Sequence, residues 1–351
     1  MEDRNLRTQH EMKSTFGPFL VLSVVLILFF MLDLFIGSYH ISIPDILKSI
    51  FDSDSVDPQI AVIVNRFRIP KALTALLAGA ALSVAGLQMQ TVFRNPLAGP
   101  FVLGISSGAS LGVAILVLGM GGAFFGGAFT VVGSWSVAAA AWIGAGIILL
   151  LVLAVSTRIK DIMTILILGI LFSSATAAIV SILQYFSNES MLKSFVVWTM
   201  GSLGGVTSAQ LQVLLPAVLT GLLIAVFSTK FLDAFLLGEN YARSMGVNIT
   251  LSRVIIFIST CILAGSITAF CGPIGFIGIA VPHIVRMFFR TSNHKKLIPG
   301  SILLGSSVML GSDIISQLPG AEATLPINSV TALMGIPIVV WIIVRSKNVE
   351  F

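Results

Sequence analysis

The chain has 351 residues, 56% of them hydrophobic and only 10% charged, with a net charge of +5 and a mean hydropathy of +1.02. Soluble domains carry roughly 25% charged residues, so this composition excludes a string of soluble domains and gives no ground for a nucleic-acid partner. It leaves a helical integral membrane protein, in which each backbone N–H and C=O finds its partner within its own helix.

In chain order, residues 1–15 form a polar tail in which three cations, Arg4, Arg7 and Lys13, are matched by three acids. The apolar run 16–36 is of membrane length, longer than the roughly 7–15-residue core of a signal peptide, and no small-x-small cleavage pattern follows it directly. It is read as the first span. Nine further apolar stretches approach the roughly 20 residues a crossing needs: 72–92, 101–119, 134–155, 162–183, 208–228, 254–270, 273–289, 298–316 and 326–344. Loop signals such as RNPLAGP, GMGGAFFGG, STRIKD, RTSNHKK and QLPGAEATLP separate them; between spans seven and eight the only break is at Gly272-Pro273. The expected fold is all-α: a polytopic membrane protein with ten transmembrane helices in one domain, 16–345, and a short tail, 346–351.

Basic residues orient the spans. With the N-terminus inside, fifteen of the twenty Lys and Arg fall on the inner side, so both termini are expected in the cytoplasm. Three of the five outer cations, Arg66, Arg68 and Lys71, sit together in NRFRIPK (65–71). Composition alone reads this run as neutralised by Asp45, Asp52, Asp54 and Asp57 of the same outer loop.

No G-x-x-x-x-G-K-[ST] phosphate loop occurs, so the chain supplies no ATPase of that type. Ionisable groups within spans mark ion pathways in coupled transporters, and here they are few. Asp313 reads as a packing or loop-anchoring acid, His283 as a structural histidine, and Asp33 lies near an interface. No second ligand stands at metal spacing, so neither metal nor cofactor is expected. Cys261 and Cys271 lie near the two ends of one predicted helix, about 15 Å apart, too far for a disulfide.

Span five carries Gly169, Ser173, Thr176 and Val180 at helical spacing. This is either a helix contact or the wall of a polar-tolerant pathway. AGAALSVAG (78–86) and AGSITAFCG (264–272), on spans of opposite direction, suggest an inverted repeat. The inner loop FLDAFLLGENYARSMGVNI (231–249) reads as two short helices broken at Gly238, suited either to a groove on another protein or to the membrane surface.

RNPLAGPFVLGISSGA (94–109), WTMGSL (198–203), LGENYARSMGV (237–247) and GPIGFIGIAVPHIVR (272–286), in this order between about residues 60 and 345, resemble the hallmarks of the FecCD-type permeases. These are membrane subunits of binding-protein-dependent ABC importers for iron–siderophore, haem and cobalamin. The resemblance implies a bacterial inner-membrane protein that pairs with a second permease chain, identical or paralogous. It also implies a separate ATP-binding subunit below and an extracytoplasmic substrate-binding protein above.

On that resemblance, Gly238, Glu239, Ala242, Arg243 and Gly246 belong to coupling helices that contact the ATPase. Gly169, Ser173 and Thr176 line the path, with Ile162 and Met163 at an inner gate. Arg68 and Lys71 receive acids of the binding protein, while Asn95, Pro96, Gly104, Pro282 and His283 are structural positions of the motifs. Two positions depart from the family pattern. Gln317 stands where a further docking cation is sometimes found, and Thr324-Leu325-Pro326, with Glu322 before it, replaces a Glu-Leu-Pro. Ferric siderophore is the expected substrate on the breadth of the family. An ion- or proton-coupled secondary transporter working alone is the alternative, and a purely structural membrane scaffold is disfavoured by the four motifs.

Overall fold

The computed structural model describes residues 2–37, 39, 41–52, 55–119, 134–156, 158–159, 161–317 and 324–346. Every regular element among these residues is a helix, with no strand among them. Asp54 and Glu322, and part of the Gly-rich loop after span three, lie outside them.

Helix α1 (Glu2–Phe35) contains the first crossing segment, Gly17–Phe35. Amphipathic α2 (Ile43–Phe51) follows, capped by Ser42, whose hydroxyl accepts from the Asp45 N–H. Short α3 (Pro58–Val62) passes through a π turn, Ile63–Arg68, into α4 (Ile69–Val92). A 3-10 turn, Pro100–Leu103, leads to α5 (Ile105–Ala114), which ends in a second π turn, Ile115–Gly119.

Then come α6 (Ser134–Ser156), α7 (Ile162–Tyr185), α8 (Glu189–Thr199) and α9 (Ser208–Phe227), the last held by a Thr207–Gln210 capping box. Two short helices, α10 (Thr229–Leu236) and α11 (Glu239–Ser244), precede α12 (Ile249–Cys271). Finally come α13 (Ile277–Phe289), α14 (His294–Ser316) and α15 (Ile327–Ser346). The break between spans seven and eight is real: α12 stops at Cys271, and Gly272 takes φ +74°.

Among the described residues, seven helices are long and apolar enough to cross a membrane: Gly17–Phe35, the continuous helix Pro58–Val92, Trp135–Ser156, Ile162–Tyr185, Ser208–Phe227, Ile249–Cys271 and His294–Ser316. Three shorter apolar helices, Ile105–Gly119, Ile277–Phe289 and Ile327–Trp341, occupy the other predicted spans.

Helix α4 is the hub, buried along nearly its whole length and packed by α14, α13, α12 and α9. Lipid tails are as apolar as Leu, so burial alone does not hold these helices together; close packing and interhelical hydrogen bonds do. At the α4–α14 crossing a methyl group on either Gly79 or Gly305 would overlap the other's carbonyl. That closeness lets Ser83 Oγ donate to Ser301 O at 2.7 Å and Ser306 Oγ donate to Leu76 O at 2.8 Å. On the opposite side, Gln88 donates to Ser259 Oγ (3.0 Å) and accepts from Thr260 Oγ1 (3.1 Å) of α12. The two segments that suggest an inverted repeat lie on this contacting α4–α12 pair. By contrast α1, α6, α7 and α9 expose large apolar side chains, among them Leu28, Leu150, Leu171 and Leu223.

Candidate functional site

Polar chemistry gathers at the two ends of the α4–α14 pair. At the inner end, α10 and α11 form the expected pair of short helices. Gly238 makes the turn between them with φ +99°, and Gly246 ends the second with φ +84°, conformations that cost a side-chain-bearing residue dearly. Helix α10 is fastened by Asp233. Its Oδ1 accepts from the His294 backbone N–H (3.0 Å) and faces His294 Nδ1 at 2.6 Å. The fully buried imidazole reaches Thr91 Oγ1 with Nε2 at 2.9 Å. One histidine therefore ties α10 to the inner ends of α4 and α14. Burial raises the affinity of the Asp233 carboxyl for its proton, but the two hydrogen bonds from His294 outweigh this and hold it below the ordinary carboxylate range.

Helix α11 is fastened by Glu239, whose carboxylate pairs with the buried Arg253 of α12. Ala242 is buried beneath it, and Arg243 is exposed. Glu239 and Ala242 thus anchor the helix, while Leu237 at the end of α10, Tyr241 on α11 and Met245 just after it are each at least half exposed, beside the exposed Asn240, Arg243 and Ser244. The sequence reading missed these exposed apolar residues, and it missed His294, whose partner lies 61 positions away.

Next to this end, α7 begins at Ile162 and Met163. Asp161 caps it, accepting from the Thr164 hydroxyl (2.6 Å) and the Thr164 N–H (2.9 Å); these bonds lower its pKa. Ile162 is half-buried and Met163 exposed. Asn95 Oδ1 accepts from the Leu97 N–H (2.9 Å), Pro96 follows it in that turn, and Gly104 is left-handed at φ +77° before α5. Pro282 is buried within α13, with the half-buried His283 beside it.

The stripe on α7 packs against the turn at Val102–Gly104. Gly169 packs against the Val102 carbonyl, where a Cβ would overlap; Thr176 is buried, and Ser173 lies against Gly104. The opposite face is the open one: Ile170, Ser174, Ala177, Ala178 and Ser181 are all exposed.

At the outer end the cations of NRFRIPK separate. The wide π turn, Ile63–Arg68, points Arg66 and Phe67 outward and Arg68 inward. Arg68 is not an exposed docking cation. Its guanidinium donates to Leu34 O (2.8 Å), Phe35 O (3.2 Å) and Tyr39 O (2.5 Å), closing the end of α1. The last carbonyls of a helix lack intrahelical partners, and a cation satisfies them well. Lys71 forms an ion pair with Asp313 at 2.9 Å and keeps about a fifth of its side chain exposed. Gln317 Nε2 donates to Asp313 (2.9 Å) and Asp33 (3.2 Å). Asp313 is thus the anchoring acid its position suggests. A cavity of about 370 Å³ opens beside Lys71 and Asp313, between the loop at 200–204 and residues 324–327.

A model of the FecCD transport family matches residues 25–345. The vitamin B12 import system permease protein BtuC of Klebsiella pneumoniae subsp. pneumoniae is 36% identical over 284 residues, covering 81% of this chain and 82% of that protein. BtuC of Escherichia coli O9:H4 is 34% identical over 330 residues, covering 94% and 95%. Among solved structures, a metal-chelate type ABC transporter in an inward-facing conformation superposes with a TM-score of 0.80 at 28% identity, covering 93% of this chain and 98% of that one. PsaBC from Streptococcus pneumoniae, solved in complex with Fab, shares the fold with a TM-score of 0.54 at 17% identity, covering 80% and 93%.

Proposed function

The chain belongs to the FecCD transport family, and from that premise we propose that it is the membrane-embedded permease subunit of an ABC importer for a metal chelate. It is a transport subunit and not an enzyme; the ATP is hydrolysed on a partner chain. The observation that carries the reading is the α10–α11 pair at the inner end, pinned to the bundle by Asp233–His294 and Glu239–Arg253 while Leu237, Tyr241 and Met245 point away. Exposed apolar side chains on a rigidly held pair of short helices suit a groove on a partner protein. The partners are an ATP-binding subunit below, a substrate-binding protein above and a second permease chain beside it.

The wall of the path in this reading is the exposed face of α7 with Ser174, Ala178 and Ser181, in place of the buried Gly169 face. Ile162 and Met163 stand where α7 meets the inner surface and form its gate. The relatives' names favour cobalamin as the chelate. Ferric siderophore, the broader expectation from the motifs, is the second reading.

The test is reconstitution with the ATPase and binding protein in vesicles, offering labelled cobalamin and labelled ferric siderophore in parallel. Uptake of one of them that requires ATP, the ATPase and the binding protein is expected. Uptake by this chain alone, driven by an ion gradient, would overturn the assignment.

A further inference from the structure

The nine residues of α2 (Ile43–Phe51) rise only about 14 Å, far too little to cross a hydrocarbon core of about 30 Å. The helix follows the outer end of the first crossing segment, Gly17–Phe35, and is fixed to the protein along one side. Ile46 and Ser49 are buried there. Ile46 belongs to a small core with Ile41 and Val64, separate from the main one, and Phe35 of α1 packs against it. The Asn65 amide of the π turn donates to Ser49 O (3.1 Å) and faces Ser49 Oγ at 3.2 Å. Arg68 of the same turn donates to Tyr39 O, just ahead of α2.

The rest of the helix surface divides in two. At about 100° per residue, Ile50, Ile43, Leu47 and Phe51 follow one another around the circumference, directly beside Ile46. All four are exposed, Phe51 by 85%. The exposed Lys48 and the half-buried Asp45 occupy the remaining arc. One side against the protein, one apolar and bare, and one charged is the arrangement of a helix lying flat at a membrane surface, where the apolar side sinks to the top of the acyl chains and the charges stay in water. The adjoining helix, α1, already presents Ile27, Leu28 and Met31 to lipid as it crosses. We propose that α2 is an interfacial helix embedded in the outer leaflet, with Ile43, Leu47, Ile50 and Phe51 in lipid and Asp45 and Lys48 in water. The proposal rests on the membrane fold alone and not on the chelate or the binding protein. Through Asn65 and Arg68, the depth of α2 sets the height of the π turn, and with it the outer ends of α1 and α4.

The experiment places a nitroxide on single cysteines in the full chain, held in vesicles of phosphatidylethanolamine and phosphatidylglycerol, with Cys261 and Cys271 replaced by Ala. Collision with oxygen, which concentrates in lipid, is compared with collision with a water-soluble nickel chelate. Leu28→Cys on α1 is the standard for lipid and Lys48→Cys the standard for water. Leu47→Cys and Phe51→Cys should both favour oxygen over nickel, at an immersion of about 5–10 Å. Should the alanine background fail to fold, Phe51→Trp in the chain with its own cysteines gives a second reading. Lipids brominated near the top of their acyl chains should quench the added emission.

Labels at Leu47 and Phe51 that meet nickel as freely as the label at Lys48 overturn the proposal, as does unquenched Phe51→Trp emission. Two further outcomes overturn it by giving the face to another occupant. Loss of both kinds of collision when the binding protein is added would assign the face to that protein, and spin–spin broadening at Phe51 would assign it to a second copy of this chain. The importer reading stands in each case.

Discussion

Three cations in seven residues have three different surroundings, and the sequence gives no means to tell them apart. Arg66 is exposed, Lys71 is paired at the mouth of a cavity, and Arg68 is buried against the carbonyls that close α1. The π turn decides this. An extra residue in one turn changes which side chain faces the neighbouring helix, and no composition or period signals it. Arg68→Ala should leave the last carbonyls of α1 unmet. Each hydrogen bond to a charged group contributes about 1.5–3 kcal/mol, so a clear loss of thermal stability in detergent is expected, whereas Arg66→Ala should be neutral. Equal melting temperatures for the two variants would contradict the assignment. His294 was equally hidden, because what makes it structural is Asp233 on another helix and Thr91 on a third. His294→Ala should free α10 from both α4 and α14. The expected outcome is a folded permease that no longer co-purifies with its ATPase, measured against the wild type in the same detergent.

Whole elements were far easier to read. Apolar length predicts the seven long crossing helices among the described residues, and Gly238 predicts the break between α10 and α11, since few other residues take φ near +99°. What a helix presents on each face was less legible. The period of Gly169, Ser173 and Thr176 on α7 is real, but the same small residues suit a close contact and a water-lined wall, and only the neighbour decides. That neighbour is the turn at Val102–Gly104. Cysteines placed at Ser174 and Ser181 should therefore react with a water-soluble thiol reagent, and the rate should change when ATP is trapped on the complex; a cysteine at Thr176 should stay protected. Fast labelling at Thr176 with Ser174 and Ser181 protected would return the path to the buried face. On α11, replacing Tyr241 by Asp puts a charge on the exposed surface between Leu237 and Met245. Chelate-stimulated ATP hydrolysis should fall at least about tenfold, the size expected for an anchoring aromatic at an interface, with the melting temperature of the isolated permease unchanged.

At the scale of the molecule, the two polar ends are joined by one pair of helices. Thr91 and His294 meet at the inner end of α4 and α14, and Lys71 and Asp313 meet at the outer end of the same two helices. Between them the backbones touch at Gly79 and Gly305, with Ser83 and Ser306 hydrogen-bonded across. The abundance of glycine was visible in the sequence, but which glycines meet was not, because the contact joins residues more than two hundred positions apart. Interiors packed this tightly transmit displacement instead of absorbing it, so an event at the Lys71–Asp313 pair is felt at His294 only while this crossing stays closed. Gly305→Ala tests that directly. Its methyl group would overlap Ser83 Oγ and the Gly79 carbonyl, and relief by separation of the helices should cost about 1–3 kcal/mol, as overpacking does. In the assembled transporter the expected result is retained ATP hydrolysis that no longer responds to the chelate-loaded binding protein, with the binding protein still docking. Gly311→Ala, on the same helix but with Phe29 as its nearest neighbour at 3.8 Å, should keep the full response. If Gly305→Ala is destabilised yet responds like the wild type, the crossing holds the fold together but does not carry the signal between the two ends.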